Sequence, residues 1–286
     1  DEFDEITKEL HTKLLNLNKQ FDIYNNYKDI NNIKTINDNA GIKPVKVQPE
    51  TLELIKAGKY AYEKTNKTVN IAMGSVLNIW HNYRENALNN NVYAIPTNTE
   101  LIEASKHTDI NSIVIDENNS TVFIKDKYTS IDVGAIAKGY AADYAVKYLK
   151  SKGIKVALIN LGGNVIAIND KDKESFKTGV VSPDNNDEYI YSFDLSNQSA
   201  VTSGNYQRYY DYNGKRYHHI IDSKTLFPSE NNKKVAVVTN SSLEGDMFST
   251  ALFILPYDEG IKLAKSNNLK VMWIDKNDKQ YLYGIE

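Results

Sequence analysis

Asp246 and Thr250 stand four residues apart in Gly245–Leu255, a stretch that reads as helix, so a carboxylate and a hydroxyl share one face, one turn apart. Ser249 lies beside them. A carboxylate with hydroxyls is a hard-oxygen set of the kind Mg²⁺ accepts, because that ion keeps waters and leans on substrate phosphates. An Asp in a first helical turn is also an ordinary capping group. Two of the five histidines, His218 and His219, occur in Arg216-Tyr217-His218-His219-Ile220-Ile221-Asp222. In a strand, His219 and Ile221 face one side and His218 and Ile220 the other, which turns one ring inward and one to solvent. His219 can be a general base oriented by Asp222, or a strand-end histidine satisfied by one hydrogen bond. Gly162-Gly163-Asn164 follows a buried strand, where backbone N–H groups can approach a phosphate or simply make a tight connection. Asp132 and Lys138 flank the start of another helix, a natural anion site, although capping explains Asp132 equally well. Tyr24, Trp80 and Tyr83 can stack on a ring ligand or pack internally.

The elements that must position these groups follow from pattern. Phe3, Ile6, Leu10, Leu14 and Leu17 recur at helical spacing over 3–20. Residues 21–39 read as loop with a short turn, and Pro49 opens a helix to about Glu63. Val69–Tyr83 is apolar, 86–99 an Asn-rich loop, and Thr99–His107 a short helix. Ser112–Ile115 and Thr121–Ile124 form a hairpin. Ile136–Lys152 is a helix closed by Gly153, and Val156–Leu161 is a buried strand. Strands follow at 176–181 and 189–195; after Thr202-Ser203-Gly204, two more at about 206–212 and 216–221 flank Asn213-Gly214, a strong hairpin signal. A strand at Val235–Thr239, helices at Gly245–Leu255 and Asp258–Asn267, and a hairpin of Val271–Asp275 with Gln280–Tyr283 complete the chain. Hairpins outnumber βαβ units, so the fold class is α+β with mixed, largely antiparallel sheets and flanking helices.

Composition narrows the function. With 34 basic and 37 acidic residues the net charge is −3, which argues against a dedicated nucleic-acid protein. A 41% hydrophobic, 25% charged chain is not a disordered one. No apolar run reaches the ~20 residues of a spanning helix. Zero cysteines exclude disulfides, cysteine-ligated zinc and thiol chemistry. Neither G-x-G-x-x-G nor G-x-x-x-x-G-K-S/T occurs, which disfavours a Rossmann dinucleotide site and a P-loop. The chain starts at Asp1 and reads as processed or trimmed, with any leader or anchor out of view.

The order of the motifs is more specific than any one of them. Asp132–Asp143, DVGAIAKGYAAD, resembles the D-L/V-G-G/A-I-A-K-G-Y-A-x-D segment of the ApbE family of FAD:protein FMN transferases. Asn160–Asn164 is similar to its N-x-G-G-N/D, Thr202–Tyr206 to T-S-G-x-Y, His219–Asp222 to H-I-I-D-P, and Asp246–Leu252 to A-D-x-x-x-T-A-L. More loosely, Phe21–Tyr24 resembles F-S-x-Y, and Val69–Trp80 resembles F-D-x-T-x-G-x-L-x-x-x-W. The family's F-D reads Val69-Asn70 here; the Pro of H-I-I-D-P is Ser223, the Gly three further on is Leu226, and the early M-G-T strand is absent.

The resemblance implies a T-fold-like ApbE architecture over residues 1–286, one domain that two intertwined subdomains flanking an FAD cleft would satisfy. It implies a Gram-positive-type extracellular enzyme, membrane-anchored as a lipoprotein in its full-length form. Such an enzyme uses Mg²⁺ to cleave FAD, attaches FMN through a phosphoester to a Thr or Ser of a partner protein, and releases AMP. By the same analogy Asp246, Thr250, Ser249 and the Ala135 carbonyl ligate Mg²⁺. Asp132 and Lys138 contact FAD, Tyr24 lies against one of its rings, and Thr68, Val69 and Asn70 line the same cleft. Ile221 packs near the adenine, Gly162 and Gly163 support the phosphates, and His219 with Asp222 provides the base. The alternatives are an FAD pyrophosphatase, with water as acceptor, and a non-catalytic flavin-binding protein.

Overall fold

The spacing of Phe3, Ile6, Leu10, Leu14 and Leu17 produces helix α1 (Glu2–Phe21) in the computed structural model, which describes residues 2–170, 174–185 and 187–285. The chain divides into two units, one of residues 1–16, 135–204 and 230–286, the other of 17–134 and 205–229.

The second unit holds α2 (Ile33–Asp38), α3 (Pro49–Lys64), α4 (Gly74–Asn90) and α5 (Asn98–Ser105). Its three-stranded sheet has the order β1 (Val45–Lys46), β3 (Thr121–Ile124), β2 (Ile113–Asp116). Sequence reading left α2 as loop; Asn32 forms a capping box with Thr35 that nucleates it. Helix α4 continues through residues read as loop, because Glu85–Asn89 and Asn86–Asn90 bond at i,i+4, and Asn91 ends it in the left-handed region. Asn213-Gly214 makes the expected hairpin of β9 (Tyr209–Tyr212) and β10 (Lys215–His218). Trp80 stacks on Tyr217, and Tyr217 on Tyr210, while the Trp80 indole donates to the Leu226 carbonyl at 2.8 Å. These aromatics are core, and they fix the segment that carries His219 and Asp222.

The first unit is built on a six-stranded antiparallel sheet of order β13-β12-β11-β8-β5-β4. The strands are β4 (Ala157–Leu161), β5 (Asn164–Ile168), β8 (Ser199–Gly204), β11 (Asn232–Thr239), β12 (Lys270–Asp275) and β13 (Gln280–Tyr283). A separate hairpin of β6 (Phe176–Val181) and β7 (Tyr189–Leu195) packs apolar residues with Ala167, Ala236, Met272 and Ile274 of the sheet. Helices α6 (Ala137–Ser151), α7 (Ser242–Ile254) and α8 (Tyr257–Ser266) complete it. Thr202-Ser203-Gly204, to which the sequence pattern assigns no element, is the end of β8, paired along β11. Every strand pair among the described residues is antiparallel, and the one parallel contact is the isolated bridge Met73–Ser130, so the class is α+β. No described helix is long and apolar enough to cross a membrane.

Candidate active site

Helix α7 is apolar on nearly all sides, so its polar residues are exceptions that need a reason. Asp246 is 3% exposed and Ser249 fully buried, while Thr250 keeps part of its surface open. The Asp246 carboxylate accepts the Gly139 N–H at 2.7 Å, and Lys138 Nζ lies 3.2 Å from its other oxygen. Burial pushes its pKa up, and Lys138, the Gly139 N–H and Asn164 pull back without prevailing. Ser249 donates to the Asp246 carbonyl and accepts from Ser203 on β8 at 2.9 Å.

Two carboxylates cap each other's helices. The first turn of α6 has no side-chain cap of its own, and Asp246 of α7 takes one of its N–H groups. In return Asp143 of α6 accepts the Ser241 hydroxyl at 2.6 Å, the Ser242 N–H at 2.8 Å and the Leu243 N–H at 3.0 Å at the start of α7. Gly139 permits the approach: a Cβ there would sit 2.3 Å from the Ser242 carbonyl oxygen. Ala135 lies in the turn leading into α6. Between β4 and β5, Gly162 and Gly163 take positive φ (+59° and +96°), and the Gly163 N–H donates to Asn160 Oδ1. A Cβ on Gly162 would come within 3.9 Å of the Lys138 side chain, so this turn borders the Lys138–Asp246 pair. Asn164, next in line, is buried with Oδ1 unpartnered.

These residues fit a magnesium ion. One buried carboxylate already draws a cation, Lys138 Nζ, and a buried amide oxygen beside it lacks a donor. No group of three or more His, Cys, Asp or Glu able to hold a metal occurs among the described residues. A single carboxylate with neutral oxygens suits an ion that takes most of its shell from water and substrate phosphate.

The second unit carries the other sequence-derived residues. Strand β10 ends at His218, so the expected alternation does not continue: His218 is buried and His219 is partly covered. His218 Nε2 donates to the Ser229 carbonyl at 2.8 Å while Nδ1 accepts the Ile220 N–H, so this ring holds the local backbone in place. His219 Nδ1 is buried without a hydrogen-bond partner. Burial, helped by Arg208, His218 and Arg84, pulls its pKa down to about 3, so the ring is neutral at physiological pH. The Asp222 carboxylate accepts the Lys224 N–H at 2.9 Å and shapes the turn after Ile221; no bond to His219 occurs among the described residues. Ile221 is buried in the Trp80 core.

Asp132 accepts the Gly134 N–H at 2.7 Å. Protein around its carboxyl raises its pKa, and Arg208, His81 and Arg84 pull in the other direction. Tyr24 is half-exposed, with its ring 4.7 Å from that of His81, whose Nδ1 accepts from Arg84 at 2.8 Å. Thr68 is partly exposed, and Val69 is buried. The Asn70 side chain bonds the Thr108 carbonyl and the Ala72 N–H, holding its own loop. His81, Arg84 and Arg208 escaped the sequence reading, as did Asp143 and Asn164. Arginine scarcity was the available signal: of three in the chain, two bear on His219 and Asp132.

A buried carboxylate paired with Lys138, reciprocally capped helices and a glycine turn sit together on an antiparallel α+β frame. The sequence profile of the ApbE family matches residues 3–273, and the chain belongs to that family. An FAD:protein FMN transferase of Klebsiella pneumoniae (strain 342) is 32% identical over 248 residues, spanning 86% of this chain and 75% of the relative. One of Treponema pallidum (strain Nichols) is 28% identical over 254 residues, 83% and 68% of the two chains. The crystal structure of the ApbE protein of Thermotoga maritima superposes with a TM-score of 0.87 at 27% identity, covering 98% of this chain and 89% of that one. The flavin transferase ApbE of Vibrio cholerae shares the fold at a TM-score of 0.79 and 24% identity, covering 96% and 88%.

Proposed function

We propose that this chain is a Mg²⁺-dependent FAD:protein FMN transferase. The observation that carries the reading is the buried Asp246 carboxylate, fixed by the Gly139 N–H and already facing a cationic group, within a family whose relatives bear that name. The acceptor is a Thr or Ser hydroxyl of a partner protein. Its oxygen bonds to the FMN phosphorus, the phosphoanhydride bond breaks, and AMP leaves with the bridging oxygen. When bound, Mg²⁺ neutralises charge on the phosphoanhydride and favours its cleavage.

The chain's residues have separate tasks. Asp246, Thr250, Ser249 and the Ala135 carbonyl would hold the ion. Lys138, whose Nζ lies 3.2 Å from Asp246 on a flexible side chain, would pair with a phosphate oxygen. The N–H groups of the Gly162-Gly163 turn face phosphate. His219, neutral and with an unpartnered Nδ1, accepts the hydroxyl proton; Asp222 sets the turn behind it. Tyr24 covers a flavin or adenine ring, Asp132 contacts FAD, and Thr68, Val69, Asn70 and Ile221 shape its surroundings. The setting we propose is the outer face of the cell membrane, with a lipid anchor in the full-length protein.

The test is incubation with FAD, Mg²⁺ and a Thr-containing acceptor, read by acceptor mass. A gain of one FMN with equimolar AMP is expected. FMN and AMP formed without acceptor modification would identify a pyrophosphatase instead, and FAD left intact would indicate a binding protein.

A further inference from the structure

Asn164 is the polar residue of the α7 group that these tasks leave unused. It opens β5 directly after the glycine turn, opposite Leu161 on β4 and Val201 on β8, and is 1% exposed. Its Nδ2 lies 3.4 Å from Oγ of Ser242, one helical turn before Asp246 on α7, and its side chain pulls the Asp246 pKa down against burial. Its Oδ1 is buried with no hydrogen-bond partner. Ser242 and Asp246 stand one turn apart on one face of α7, so the Asn164 amide lies on the side of the helix that carries the carboxylate. A buried acceptor without a donor lowers stability. A valine would fill an interior strand position without that penalty. A cation held beside Asp246 would turn the penalty into attraction.

We propose that Asn164 is an oxygen ligand of the cation site: Nδ2 orients the Asp246 carboxylate and Oδ1 offers a second, neutral oxygen to the divalent ion. This rests on the reading of Asp246 as the metal carboxylate. The site then has one charged and one amide oxygen fixed from two elements, α7 and the start of β5, before any nucleotide is present.

The test is Mn²⁺ binding followed by electron paramagnetic resonance, alone and with ADP, in wild type, Asn164→Ala and Asn164→Asp, alongside thermal melting with and without Mn²⁺. Asn164→Ala should bind Mn²⁺ about 10–100-fold more weakly, the loss typical when a residue supporting a metal site is removed. Asn164→Asp should bind at least as tightly as wild type, with a larger Mn²⁺-induced rise in melting temperature, since two adjacent carboxylates repel until the ion joins them. A packing role would impair both variants alike. Mn²⁺ affinity within twofold of wild type in Asn164→Ala, or loss in Asn164→Asp matching that in Asn164→Ala, overturns the proposal. Should Asn164→Ala not fold, an unchanged Mn²⁺ response in Asn164→Asp overturns it alone. If wild type binds no Mn²⁺ under either condition, the metal reading of Asp246 fails together with this one; if it binds, only the role of Asn164 is at stake.

Discussion

Replacing Gly139 by alanine tests whether the α6–α7 junction builds the site. In most helices this change stabilises by about 1 kcal/mol, because glycine has poor helix propensity. Here the new Cβ would lie 2.3 Å from the Ser242 carbonyl oxygen and 2.7 Å from Leu243 Cα. A tolerable carbon–oxygen contact is about 3.3 Å, so the two helix ends must part by about 1 Å. Neither blocking atom belongs to a side chain that can swing aside. Overpacking of this kind costs about 1–3 kcal/mol, which exceeds the propensity gain over most of that range. The same displacement lengthens the Gly139 N–H bond to Asp246 and the Asp143 bonds to α7. A misplacement of ~1 Å at a reacting centre can lower turnover about 10²-fold. Urea denaturation should show a lower midpoint at unchanged slope, and FMN transfer should fall in kcat more than in KM. A variant as stable as wild type with undiminished kcat would refute the idea that this contact sets the site.

Asp246→Asn keeps an acceptor for Gly139 but removes the charge, so Mg²⁺ titration should no longer restore transfer; turnover should drop by ~10²–10³-fold while the circular-dichroism spectrum stays native. Asp143→Ala strips three bonds from the start of α7 and should cost about 1–2 kcal/mol in urea melts. His219→Ala should lower kcat by ~10²–10⁴-fold with little change in FAD affinity; an effect confined to KM would make it a binding residue. Native His219 stays neutral from its ordinary 6.5 down to about 3, whereas the unfolded chain protonates it. Stability should therefore fall with acidification across that window, by up to about 1.4 kcal/mol per pH unit, and wild-type minus His219→Gln melts between pH 4 and 7 should show that slope.

Local rules carried much of the fold. Apolar spacing places α1, Pro49 marks the start of α3, Gly153 the end of α6, and Asn213-Gly214 places the β9–β10 turn within a residue. Rules failed where tertiary pairing overrides composition. Asn164–Ile168 is a strand because β4 and β8 flank it, and Thr202-Ser203-Gly204 is straight because β11 holds it. Lys138 Nζ lies 3.2 Å from Asp246 and the glycine turn borders that pair, a grouping that the order of the motifs leads one to expect. The partners of these groups were not legible: Asp143 caps a helix about a hundred residues later, and Asn164 meets Asp246 across the unit. No periodicity encodes either contact. An alternation of His218 and His219 requires β10 to run on, whereas it ends at His218, whose ring bonds the Ser229 carbonyl and the Ile220 N–H.

Lys138 bears on how the protein folds when the proposed ion is absent. Zinc fingers collapse when chelated because nothing else neutralises their ligands. Asp246 instead has an ammonium group on a flexible tether, 43% exposed at its side chain and able to retreat into water. Chelator should therefore leave the protein folded, with the melting temperature of the ion-free protein, while abolishing turnover. The tethered amine would also compete with an incoming ion, holding its occupancy to modest affinity and making it reversible.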